Sequence, residues 1–328
     1  MAMTSTTPET FTADLDSEIA ANVVATAVAE AGPGAAELID HKPSLWEALK
    51  ESWRSRHLFG VIFSAALAAY IRKYRLGPTW IILQSVMSLI GYTLIFGGGV
   101  FNVRAPNGMP YFLFMCVGMM GWNLFNATLT VSARSFLRLR SVVREVHIPL
   151  ILVPIAGSAQ AIIRVGVVFV IYLISVVYYW IASGTLYFQL TPKYLFMSFF
   201  GLFLCIAMAW GISLWTAPMT AHTRDVRMIL RFVVPFWFFI TPVVYPIEQL
   251  HGKIKLAAEL NPLSAPVEMA KVGFLGVGSV SPGLMIYSVV AICGVFASGI
   301  WFINRFGQRI VGLAPAGEDD DDDEDDMM

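Results

Sequence analysis

The stretch Val143-Arg144-Glu145-Val146-His147-Ile148-Pro149 decides the fold. It is short and polar, lies between two long apolar runs, and follows Arg134, Arg138 and Arg140, with a second proline at Pro154. Arginine-rich connections beside membrane spans stay on the cytoplasmic side. The stretch therefore reads as a short cytoplasmic element joined directly to two membrane helices, suited to passing a push from a soluble partner into the membrane.

Composition agrees. The chain has 328 residues, 57% hydrophobic and 14% charged, with mean hydropathy +0.66. A soluble domain carries about 25% charged residues, so the expected class is an all-α integral membrane protein. Charge is segregated: residues 1–40 hold seven acids and no Lys or Arg, and Glu318 to Asp326 are nine consecutive acids. Residues 1–43 read as a disordered acidic cytoplasmic arm, 44–310 as the transmembrane domain and 311–328 as a disordered acidic tail, because such polar segments bury too little to fold alone.

A membrane helix needs about 20 apolar residues. Six runs qualify roughly: Pro78–Phe101, Tyr111–Val131, Pro149–Ile181, Tyr194–Ala217, Ile229–Tyr245 and Gly283–Asn304. With both termini inside, sixteen of the 22 Lys and Arg fall on the inner side and five outside, with Arg164 within a span. That bias predicts an N-in, C-in topology. Before the first span, Leu45, Leu49 and Trp53 recur at i, i+4, i+8, with Trp46 beside them. This periodicity predicts an amphipathic helix lying in the interface; a soluble helix packed on a partner is the alternative. Residues 246–276 carry two short helical patterns split by Asn261-Pro262, which fits a re-entrant hairpin on the outer side before the last span. A pair of surface helices fits the same pattern.

Catalytic and metal motifs are missing. The three cysteines, Cys116, Cys205 and Cys293, lie in apolar runs, and the five histidines are dispersed. No Walker-type GxxxxGK[ST] occurs, so ATP-driven work needs a separate ATPase. Arg164 is the one charge clearly inside a span, read as a structural pairing residue or a substrate contact. That scarcity argues against ion-coupled transport, which buries acidic or His relays. Aromatics are dense. Tyr92, Phe96, Trp122, Phe125, Phe236, Phe239 and Tyr245 are candidate channel-lining residues, with packing and interface belts as the plainer reading. Arg224 and Asp225 begin the cytoplasmic loop before the fifth span.

Four pieces in order carry a resemblance: Lys73-Tyr74-Arg75-Leu76-Gly77-Pro78-Thr79-Trp80; Gly118 to Phe125; Val142 to Pro154; and Arg224-Asp225 followed by Thr241-Pro242-Val243-Val244-Tyr245 and Asn261-Pro262. Together they resemble the membrane subunit of ABC-2 type ATP-binding-cassette exporters, in the branch that moves lipid-linked polysaccharides, teichoic acids and O-antigens. The pattern departs from that family at Glu145, where a second basic residue is usual, and in the long arm and tail.

The resemblance implies a homodimer of half-transporters, each docking one of two ABC ATPase subunits. ATP and Mg would sit on that partner, with no cofactor on this chain and no nucleic acid bound. Arg144, Glu145, Val146, His147, Ile148 and Pro149 would form the coupling helix in a groove of the ATPase. The Leu45–Leu58 helix would lie where a lipid-linked substrate is taken up at the inner surface of a bacterial plasma membrane. The first and fifth spans would border the channel. Trp46, Trp53, Arg54, Arg56, Arg72, Lys73 and Arg75 are the candidate uptake residues. The basic ones attract an anionic pyrophosphate head or simply anchor the inner surface. An ABC-2 drug or small-lipid exporter is the alternative reading. A membrane glycosyltransferase would need a carboxylate or His cluster that the sequence lacks, and a structural scaffold would tolerate charge reversal at Arg144.

Overall fold

The computed structural model describes residues 78–98, 100–101, 103–138, 150–156 and 158–307, with Gly60, Phe63, Ser64 and Leu67 ahead of them. The expected interfacial helix at Leu45–Leu58, the coupling segment at 144–149 and the acidic termini lie outside the described residues.

Within these residues the architecture is helical throughout. Helix α1 is Pro78–Tyr92, continued by a π-helical turn at Thr93–Gly98. Helix α2 is Tyr111–Ala133, and the short α3 is Ser135–Arg138. The short α4, Leu152–Ala156, leads into α5, Ala159–Ser183. Helix α6 is Pro192–His222, α7 is Arg224–Ile240, α8 is Gly252–Leu260, α9 is Ser264–Leu275 and α10 is Pro282–Phe302. Proline opens α6 and α10 in the first turn, where its missing N–H has no helical partner to lose.

Among the described residues, five helical segments are long and apolar enough to cross a membrane: Thr79–Gly98, Tyr111–Leu137, Leu152–Ser183, Pro192–His222 and Pro282–Gly307. The sixth expected span departs from expectation. Instead of running from Ile229 to Tyr245, α7 starts at Arg224 and stops at Ile240, 17 residues in all. At about 1.5 Å rise per residue this is about 25 Å, short of the roughly 30 Å hydrocarbon core. The helix stops because Pro242 disfavours helical geometry at the residue before it, and Thr241 is extended at ψ 133°.

Helix α2 is the axis of the bundle. Leu113, Met115, Cys116, Val117, Met120 and Phe125 are all closed to solvent, and α5, α6 and α9 pack around it. Of the hairpin formed by α8 and α9, α8 is largely exposed and α9 is packed into the bundle. Every residue of α9 is buried, clamped between α6 and α2. Close approach explains the glycines on that seam. A methyl on Gly273 would meet the Ser198 hydroxyl and the Tyr194 carbonyl at 2.0 and 2.4 Å, and one on Gly201 would meet the Pro266 carbonyl at 2.5 Å. The outer faces of α1, α5 and α10 stay apolar and exposed, with Leu83, Met87, Ile174, Ile181 and Val290 among them. Hydrophobic residues facing outward around a dry core are what a lipid environment requires.

The two ends of the bundle differ in charge. Arg134, Arg224, Arg227, Arg231 and Arg305 gather at the end where α2 finishes and α7 begins. The hairpin sits at the other end: Tyr111, at the start of α2, donates a 2.5 Å hydrogen bond to the Val244 carbonyl just beyond α7.

A candidate anion-binding cleft

Helix α7 has two faces. Arg224, Arg227, Arg231, Val234 and Phe238 follow each other at spacings of three and four, so they share one stripe. Val234 and Phe238 are buried against the bundle, and the arginines continue the stripe toward the start of the helix. The opposite face, with Ile229, Phe232, Phe236 and Ile240, is exposed. Pro235 lies inside the helix and removes one backbone hydrogen bond there.

Between this stripe and α2 lies a cleft of about 340 Å³. Tyr92 of α1 closes one side. Trp122, Asn126, Thr130, Ala133 and Arg134 come from α2, and Arg227, Leu230, Arg231, Val234, Pro235, Phe238 and Phe239 from α7. Its deep wall is aromatic: the Phe238 ring lies 5.2 Å from Tyr92 and 5.2 Å from Trp122, edge-on to the latter at 66°. Its polar lining is Arg134, Arg227, Arg231, Asn126 and Thr130, whose hydroxyl donates to the Asn126 side-chain oxygen at 3.3 Å. Guanidiniums bind phosphate and carboxylate oxygens through paired N–H donors, and aromatic faces suit chains or rings without demanding hydrogen bonds. The cleft therefore matches an amphipathic ligand with an anionic head.

The hairpin end carries a second polar cluster. The Lys271 ammonium, fully buried, donates to the Pro242 carbonyl and to Glu268 Oε1 at 3.2 Å. It also lies 3.4 Å from the Tyr245 carbonyl and 4.1 Å from the Phe114 ring centroid. Nearby, Asn261 accepts from Trp237 Nε1 at 3.0 Å and from the Leu263 N–H at 3.1 Å, and donates to Thr241 Oγ1 at 2.8 Å. Both clusters join the end of α7 to the hairpin. Sequence reasoning counted Lys271 among the outer-side charges, in the second helical half of the hairpin; the structure buries it, and its acceptor at Pro242 is 29 positions away, beyond any local pattern.

Of the expected channel residues, Tyr92, Trp122 and Phe239 meet in the cleft. Phe125 is fully buried beneath it, 5.1 Å from Trp237. Phe236 faces a separate groove of about 350 Å³ between α7 and the hairpin. Phe96 stacks on Phe101 at 5.1 Å, and the Tyr245 hydroxyl donates to the Phe239 carbonyl. Arg224 and Asp225 open α7, where the acid complements the helix dipole. Trp46, Trp53, Arg54, Arg56, Arg72, Lys73, Arg75 and the Arg144–Pro149 segment lie outside the described residues. The flanks of that last segment are held: Ser132 donates to the Pro154 carbonyl at 2.5 Å, and Leu150 packs beside Gly307. Sequence reasoning missed Arg227, Arg231 and Arg134 as a group. The spacing on α7 was the available signal; the meeting with Arg134 was not.

A bundle that is helical throughout the described residues, with five helices of lipid-crossing length among them, defines a multi-pass membrane protein. The chain matches the ABC-2 type transporter family over residues 57–275 and belongs to it. Membership makes it the transmembrane component of a transporter whose partner is an ABC ATPase subunit. It is 23% identical over 221 residues to the O-antigen export system permease protein RfbA of Myxococcus xanthus, covering 66% of this chain and 79% of that protein. It is 20% identical over 225 residues to the protein of the same name from Klebsiella pneumoniae, covering 67% and 82%.

Proposed function

We propose that this chain is the membrane subunit of an ATP-driven exporter that moves a lipid-linked cell-envelope polysaccharide across the bacterial inner membrane. Two copies form the translocation path and two ABC ATPase subunits, carrying ATP and Mg, drive it. Residues 144–149 couple the ATPase to the bundle, and both termini are cytoplasmic. The observation that carries this reading is the cleft, which Arg134, Arg227 and Arg231 line together with Tyr92, Trp122 and Phe238. A polyprenyl pyrophosphate offers that combination, an anionic head on an apolar chain, and the arginine end is the inner end by the positive-inside rule. The names of the two relatives support the cargo class.

Depleting the protein in its native host, followed by mass analysis of inner-membrane lipid-linked glycans, tests the reading. Accumulation of a lipid-linked polymer is expected, and complementation with Arg227→Gln/Arg231→Gln should leave most of it in place. A volume of about 340 Å³ also suits a drug-sized ligand, so a drug or small-lipid exporter is the second reading. A normal glycan profile in depleted cells, with altered drug resistance, would select it.

A further inference from the structure

Helices α7 and α8 leave a groove of about 350 Å³ between them at the hairpin end. Val233, Phe236 and Ile240 line it from α7, Ala257 and Leu260 from α8, and Pro262 from the hairpin break. Val233, Phe236, Ile240 and Leu260 are each about half exposed, so the groove opens sideways. Its two polar side chains are bonded to each other: the Trp237 indole donates to Asn261, whose amide donates in turn to Thr241. Those bonds, with Tyr287 donating to the Leu260 carbonyl at 2.8 Å, brace the groove before any ligand enters. An apolar slot with its polar atoms already paired suits hydrocarbon better than sugar.

Helix α8 places a cation at the end of this groove. Lys253, Ala257 and Leu260 follow each other at spacings of four and three, so they share one stripe, with Lys253 about 6 Å along the axis from Ala257. Lys253 is exposed, and among the described residues no carboxylate pairs with it, whereas Lys255 has Glu259 at 3.9 Å. Both ends of α8 fix its direction. Asn261, just past its last residue, is bonded to Trp237 within α7. Its first residue, Gly252, follows Gln249 by three positions, and Gln249 donates to the Arg104 carbonyl in the connection between α1 and α2. Helix α8 thus descends from that outer connection along α7, with Lys253 at its outer end.

We propose that the groove holds one chain of an anionic phospholipid from the outer leaflet, with the phosphate of its head on Lys253. The proposal depends on the membrane setting and not on the cargo. A lipid chain gains little apolar contact by leaving the bilayer for the groove, because bulk lipid is equally apolar. Discrimination therefore falls to the head. A lysine at the membrane surface favours an anionic head by about threefold to tenfold, and its apolar stem can lie along the groove while the ammonium stays in the headgroup layer.

Native mass spectrometry of the full chain in a mild detergent tests this, with phosphatidylglycerol and phosphatidylcholine of identical chains supplied in equal amounts. A retained phospholipid on each chain is expected, with phosphatidylglycerol preferred by about threefold to tenfold. Lys253→Gln should bring that ratio to about one. Lys255→Gln should leave it unchanged, since Lys255 is paired with Glu259. Ala257→Phe fills the groove from an exposed position and should remove the retained lipid of either kind, with an unaltered gel-filtration profile showing that the chain still folds. No preference in the wild type, a preference that Lys253→Gln leaves intact, or a lipid that Ala257→Phe fails to displace overturns the proposal. If Ala257→Phe splits a dimer while the lipid stays, the groove belongs to a second copy of this chain and the proposal falls.

Discussion

Removing one partner of the buried Lys271–Glu268 pair should weaken the bundle far more than removing both. Lys271 is fully closed and its carboxylate partner nearly so. In Glu268→Met the ammonium keeps the Pro242 carbonyl and the Phe114 ring face but loses its counter-charge. An uncompensated buried charge costs about 3–5 kcal/mol. In Lys271→Met the carboxylate loses its counter-charge and the Pro242 carbonyl loses its donor, for a similar cost. In the double variant both charges are gone, and what remains is the orphaned Pro242 carbonyl, about 1–3 kcal/mol. The two singles sum to about 6–10 kcal/mol, so the coupling energy is at least about 3 kcal/mol. Fluorescence-detected melting of the purified protein in one detergent measures this. Each single should lower the midpoint by roughly 6–15 °C and the double by clearly less than either. A double variant as unstable as the sum of the singles would refute the reasoning, because it would mean that the two charges do not compensate each other.

Asn261→Ala strips the acceptor from the Trp237 indole and the Leu263 N–H and removes one donor to the Thr241 hydroxyl, which keeps the Trp237 carbonyl, and should cost about 2–4 kcal/mol, read by the same melting assay. Gly273→Ala forces a methyl into the Ser198 hydroxyl and Tyr194 carbonyl; overpacking of about 1–3 kcal/mol or more is expected, and Ser198→Ala in the same chain should recover only part of it, since the carbonyl remains. Tyr111→Phe removes the hydrogen bond to Val244 and should cost about 0.5–1.5 kcal/mol, with an unchanged oligomeric state on gel filtration. Arg144→Glu reverses charge in the proposed coupling segment and should reduce co-purification of the ATPase subunit at low salt; equal recovery with wild type would count against that segment as the docking element.

What was legible in the sequence follows from the range over which each signal acts. Apolar run length is a local property, so α1, α2, α5, α6 and α10 emerge with ends off by a few residues. The hairpin break at Asn261-Pro262 is also local and was visible. The early end of α7 was legible too: proline at position 242 biases Thr241 away from the helix, a signal outweighed by the apolar residues that continue to Tyr245. The burial of Lys271 was not legible. A lysine in an outer-side helical pattern reads as a water-facing charge until α6 and α2 close over it. The cleft was half legible, as the arginine spacing on α7, but Arg134 joins it only because α2 and α7 lie side by side at that end.

The same bonds make α7 asymmetric. At its Ile240 end, the indole of Trp237, the hydroxyl of Thr241 and the carbonyl of Pro242 are each tied to the hairpin. The hairpin in turn is locked by α9 lying buried between α6 and α2. Moving that end means breaking several buried hydrogen bonds at once, each costing about 1 kcal/mol or more. At its Arg224 end, the helix borders an open cleft and the exposed side chains of Met228, Ile229 and Phe232. Pro235, which lacks an N–H to donate, separates the two halves. A displacement applied through the flanks of residues 144–149 reaches the bundle at the Ser132–Pro154 contact, next to Arg134 on the cleft's α2 wall. Both halves of α7 line the cleft, Arg227 and Arg231 before Pro235 and Phe238 after it, so such a displacement meets α7 across that open space.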